Sequence, residues 1–90
     1  MLSKSEARDK VAKLLTDEVA ILDDQTREYS WGWVFFYESQ KYLETGENRD
    51  RLLGNAPFIV NRESGEFAET GTAHETEHYV KKYEARLRDS

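Results

Sequence analysis

Cysteine is absent from this 90-residue chain, proline occurs once and histidine only twice. Without thiols, neither a disulfide framework nor a thiolate metal site is open to it, which excludes the disulfide-rich secreted class. No apolar run approaches the ~20 residues of a membrane-spanning helix, and the opening MLSKSEARDK lacks the apolar core of a secretory signal. The expectation is a soluble protein of the reducing cytoplasm, without a membrane partner. Positive charge is also short: 13 Lys and Arg stand against 18 Asp and Glu, for a net charge of -5. Nucleic-acid binding is driven by clustered Lys and Arg displacing counterions, so that partner class is not expected either. An acidic surface instead favours a basic protein partner and speeds the encounter.

Ninety residues suffice for one compact domain, residues 1–90, and are too few for two. The first helix is well signalled. Ser3 and Glu6 have capping-box spacing, and Leu2 with Ala7 fits a hydrophobic staple. Ala7, Val11, Leu14 and Leu15 recur at helical spacing, which predicts a helix from about Lys4 to Thr16. The short apolar run Glu18–Leu22 reads as a strand, and Asp23, Asp24 and Gln25 supply the turn of a hairpin that leads into a second one.

That second strand, TREYSWGWVFFYES, holds six of the eleven aromatics between Tyr29 and Tyr37 and is expected at the centre of the sheet. Alternation sends Tyr29, Trp31, Trp33, Phe35 and Tyr37 one way and Ser30, Gly32, Val34, Phe36 and Glu38 the other. Gly32 signals a bulge or a close backbone approach. The stretch Ser39–Gly54 reads as polar and irregular, with a turn at Thr45–Glu47 and a short helical segment, Arg49–Leu53, capped by Asn48 and closed by Gly54. Pro57 opens a third strand, Phe58–Asn61; Arg62–Gly65 is its hairpin loop and Glu66–Thr70 the returning strand. A last helix runs from near Thr76 to about Arg88, with Tyr79, Val80, Tyr83 and Leu87 as its buried stripe. Its cations Lys81, Lys82, Arg86 and Arg88 suit the helix dipole, and Glu77 and Glu84 stand four residues before Lys81 and Arg88.

The class is therefore α+β: a small antiparallel sheet of about four strands, with the N- and C-terminal helices packed on one face. That arrangement leaves apolar side chains on the second face, to be wrapped by the chain, used as a contact surface, or closed by a homodimer.

His74–His78 reads HETEH, the spacing of a helical zinc hydrolase signature. Two requirements fail. His74 falls before the helix start, and a third protein ligand would have to be a carboxylate, with only a distant acid such as Glu69 to supply it. Glu84 lies six residues beyond His78, about 600° around an α-helix and so on another face. No metal and no cofactor is expected. Ser30 and Ser64 have no histidine suggesting a triad, and Asp23-Asp24 are ordinary turn formers, so no enzyme is expected either.

Three stretches carry a resemblance: the aromatic GWVFFYES, the segment KYLETGENRDRLLGNAPFIVNRESGEFAETGTA, and HYVKKYE in the last helix. In their order and spacing, over roughly Ile21 to Glu84, they resemble the bacterial immunity protein 35 family, also called the YrhB-type domain. The two histidines are outside the pattern. The resemblance implies a protein of polymorphic toxin systems that stays in the producing cell's cytoplasm and binds a cognate toxin domain, without catalysis or cofactor. Partner binding is then expected at Tyr29, Trp31 and Trp33, as aromatic anchors, and at the acids Asp23, Asp24 and Glu28 beside them. The competing reading of Trp31 and Trp33 is ordinary core. Gly54, Asn55, Ala56 and Pro57 read as a loop that sets the third strand. The alternative function is a small ATP-independent holdase, whose aromatic face ringed by acids would hold unfolded clients.

Overall fold

The computed structural model of the chain describes residues 1–15, 17–47, 49 and 56–89. The helical segment expected over Arg49–Leu53, with its Asn48 cap and closing Gly54, falls outside the described residues apart from Arg49. So do Asn55 and the expected helix end at Thr16.

Helix α1 spans Lys4–Leu14. The Ser3 Oγ accepts from the Glu6 N–H and the Glu6 carboxylate accepts from the Ser3 N–H, both at 3.1 Å. This is the reciprocal capping box, and those bonds hold the Glu6 carboxyl below its usual range. Leu2 packs with Ala7 as expected, while Leu14 turns out to water.

The strands are β1 (Val19–Ile21), β2 (Arg27–Tyr29), β3 (Gly32–Phe35), β4 (Tyr37–Ser39), β5 (Phe58–Asn61) and β6 (Phe67–Glu69). The aromatic stretch is not one strand. It reverses at Ser30-Trp31, because Tyr29 pairs with Gly32 across a two-residue turn. β1 pairs with β4 and not with the segment directly after it, and the order of the larger sheet is β2-β3-β5-β6. β1–β2 and β3–β4 thus form two arms of one long hairpin. Asp23–Gln25 is a 3-10 turn set into the outer arm, which continues that arm where a reversal was expected. Helix α2 (Gln40–Thr45) occupies part of the stretch expected to be irregular; Ser39 caps it and Gly46, at φ +70°, closes it. Helix α3 spans Thr76–Arg88, as the sequence predicts.

β3 is buried along all four residues. Trp33 and Phe35 pack with Val60 against Ala7 and Val11 of α1. Val34 packs with Ile59 against Val80 and Tyr83 of α3. Successive strand residues face opposite ways, so the two helices cover opposite faces of the sheet. The expectation of both helices on one face is corrected here. A central strand apolar on both sides needs a helix on each, and the second face is wrapped by α3.

Gly32 fixes the β3–β5 register. A Cβ at this position would sit 2.0 Å from the Val60 carbonyl oxygen, and its φ is +156°. The close approach expected from sequence is therefore real. Gly32→Ala should destabilise the fold by roughly 3 kcal/mol or more, read as a lowered urea midpoint. Gly46→Ala, with open space around it, should cost only about 1 kcal/mol. Equal effects would contradict this account of Gly32.

Candidate functional site

The turn between β2 and β3 lays an aromatic ladder against α3. Tyr29 and Trp31 stack at 4.9 Å with an interplanar angle of 4°, and Trp31 meets Tyr83 at 4.9 Å, tilted by 54°. Each ring directs its polar atom to an acid. The Tyr29 hydroxyl donates to Glu77 Oε1 at 2.9 Å, and Arg27 reaches the same oxygen at 2.9 Å. Trp31 Nε1 donates to Glu84 Oε2 at 3.0 Å, and the Tyr83 hydroxyl donates to Glu66 Oε1 at 3.1 Å while accepting from Asn61. Arg86 pairs with Glu66 and covers the Tyr83 ring. Burial pushes the Tyr29 and Tyr83 hydroxyls above the usual phenol range, with Glu77 and Glu66 reinforcing it. Instead of only serving Lys81 and Arg88 along the helix, Glu77 and Glu84 tie α3 to the sheet.

The six residues expected to bind a partner are not gathered into one patch. Tyr29 and Trp31 lie half-buried on the α3 side. Trp33 is 2% exposed beneath α1, with the Arg62 guanidinium 4.7 Å above its ring, so it belongs to the core and not to a contact surface. Glu28 is the cross-strand partner of Trp33 and so shares the α1 side of the sheet, where it pairs with Arg62 at 3.1 Å. Asp23 forms a two-point pair with Arg8 of α1, at 2.6 and 3.1 Å, and that bond holds its carboxyl below the usual aspartate range. Asp24, beside it in the 3-10 turn, is exposed. Asp23 and Glu28 thus lie along the outer arm of the hairpin on the α1 side, away from the ladder of Tyr29, Trp31 and Tyr83.

Sequence reasoning missed Arg8, Arg62, Glu66, Glu77 and Glu84 as partners of these residues. A signal existed for two of them: Glu77 and Glu84 are seven apart and flank Val80 on the face that α3 buries.

His74 precedes α3 and His78 lies inside it, with the two exposed rings 4.2 Å apart. Among the described residues, no group of three or more His, Cys, Asp or Glu is placed to hold a metal ion. No helix among them is long and apolar enough to cross a membrane.

The sequence profile of the family described as immunity protein 35 matches residues 5–85. The chain belongs to that family. The immunity protein 35 match takes in all of α1 but Lys4 and α3 as far as Ala85, so it reaches both helices that close the sheet. A relative named uncharacterized protein YrhB, from Escherichia coli (strain K12), is 47% identical over 58 residues. The alignment covers 64% of this chain and 62% of that relative, less than two thirds of its length. No solved structure matches the chain.

The Arg8–Asp23 pair gives a pH test. A depressed carboxyl pKa contributes stability that is fully present above the ordinary aspartate value of 3.8 and is lost as pH falls through the lower folded value. Asp23→Asn should therefore flatten the acid limb of stability below that value. The pair is about half exposed, so at neutral pH the variant should cost no more than about 0.5 kcal/mol. Urea midpoints at neutral and acid pH check both; a parallel acid limb in the variant would remove Asp23 from the account.

Proposed function

We propose that this chain is a non-catalytic immunity protein of the bacterial cytoplasm that neutralises a cognate toxin domain of a polymorphic toxin system by forming a stoichiometric complex. Membership of the immunity protein 35 family over residues 5–85 is the observation that carries the reading. The net charge of -5 is consistent with a basic toxin, because opposite charge raises the association rate. The outer arm of the hairpin supplies a surface of that kind: Asp17, Glu18, Asp23, Asp24 and Glu28 all lie on or beside β1 and β2 and are exposed. Asp17, Glu18 and Asp24 act there as the steering rim, while Asp23 and Glu28 are held by Arg8 and Arg62 and the Tyr29–Trp31 pair lies under α3.

A holdase would need an open aromatic face for unfolded clients. Here α3 lies on that face, and no observation favours the holdase.

Co-expression with the toxin encoded beside its gene should restore growth, and the two proteins should co-elute at equal stoichiometry. Continued killing with both proteins soluble and expressed would count decisively against the reading.

A further inference from the structure

β1 has a neighbour on one side only, β4. Two hydrogen bonds set the phase of that ladder: the Leu22 N–H donates to the Phe36 carbonyl at 2.8 Å, and the Gln40 N–H to the Glu18 carbonyl at 2.9 Å. In an antiparallel pair the bonding residues alternate, so Glu18, Ala20 and Leu22 bond toward β4. Val19 and Ile21 then direct their N–H and C=O groups away from it. Among the described residues, no backbone group meets them there.

That free edge borders a groove of about 470 Å³ between α1 and β1, lined on the helix side by Arg8 and Ala12 and, just past the helix end, by Leu15. Asp17 lines one end and continues into a neighbouring groove with Glu18, Glu44 and Lys41. Arg8, which also lines the first groove, is engaged by Asp23.

Exposed strand edges are ordinarily blunted by charge, proline or a bulge. β2 carries Arg27 and Glu28, and β6 carries Glu69 beside Lys82 and Arg86. β1, Val-Ala-Ile, is as short as β2 and β6 but carries no charge, proline or bulge of its own. An uncharged free edge beside a groove is the arrangement that strand addition uses, with backbone bonds giving affinity and side-chain pockets giving selectivity.

We infer that this groove binds an extended segment of the partner protein, alternating basic and apolar residues, as an added strand on β1. The inference rests on the immunity reading and assigns the toxin's docking mode. A second copy of the chain fits the edge poorly. In the antiparallel register centred on Ala20, the second copy sets Leu22 and Asp23 against the acidic end of the groove and brings no cation to it.

The test uses the isotope-labelled full chain and a short synthetic peptide alternating lysine and valine, with a glutamate–valine peptide as its counterpart. The basic peptide should shift the amides of Val19 and Ile21 and slow their hydrogen exchange. The acidic peptide should bind about tenfold more weakly or worse. Val19→Pro removes one outward N–H and leaves the β4 ladder to its neighbours, so it should abolish that protection. Asp17→Lys with Glu18→Lys, which touches no backbone donor, should erase the preference for the basic peptide. Shifts elsewhere, equal binding of both peptides, or protection of the edge by raising protein concentration alone would overturn the inference. The readout needs no toxin, so failures separate. Peptide in the groove without toxin rescue removes the immunity reading alone, whereas rescue without peptide in the groove removes the docking mode alone.

Discussion

β3 is buried on both faces, and its first residue has no room for a side chain. Gly32 lies against the Val60 carbonyl, which brings β3 and β5 together in a fixed register. From that register Trp33, Phe35 and Val60 point to one side and Val34 and Ile59 to the other. Neither set can face water without exposing a contiguous apolar surface, so each needs its own cover. α1 covers the first and α3 the second. With helices committed to both faces, what remains available to a partner is the rim: the outer arm of the hairpin and the groove beside β1.

The two covers are built differently. α1 is held by aliphatic packing of Ala7 and Val11, and at its flank by the Arg8–Asp23 pair. α3 lies over an aromatic ladder whose hydroxyl and indole hydrogens must find acceptors once buried. Glu77, Glu84 and Glu66 supply them, which is why three acids of a chain rich in acid are spent on internal bonds. On the outer arm, Asp23 and Glu28 are likewise taken up by Arg8 and Arg62, and Asp17, Glu18 and Asp24 beside them are exposed.

Local signals were legible in the sequence and pairing was not. The Ser3–Glu6 box, the bounds of α3 and the Phe58–Asn61 strand follow from chemistry within a few residues, and each is present. The Ser30-Trp31 turn was hidden because Tyr29, Trp31, Trp33 and Phe35 continue an unbroken alternation straight through it. The pairing of β1 with β4 was hidden by Asp23–Gln25, whose turn-forming residues extend the arm as a 3-10 turn. α2 was missed although Ser39 and Gly46 bracket it, since its polar body shows no apolar stripe. Of the candidate site, the acids and aromatics were found but their division was not: Glu28 and Tyr29 are adjacent in sequence and face opposite sides of the sheet. The contribution of α3 was the largest omission, because the partners Glu77 and Glu84 stand about fifty residues away from the rings they hold.

α3 closes the aromatic face, which leaves the rim for the proposed partner. Hydrogen exchange at the two indole N–H groups tests that closure most directly. Trp33 is sealed under α1, and Trp31 is bonded to Glu84. Both should exchange slowly in the free chain, at rates that track global unfolding. Slow exchange at Trp33 with fast exchange at Trp31 would mean that α3 does not hold the ladder closed, and the aromatic face would then be the partner surface.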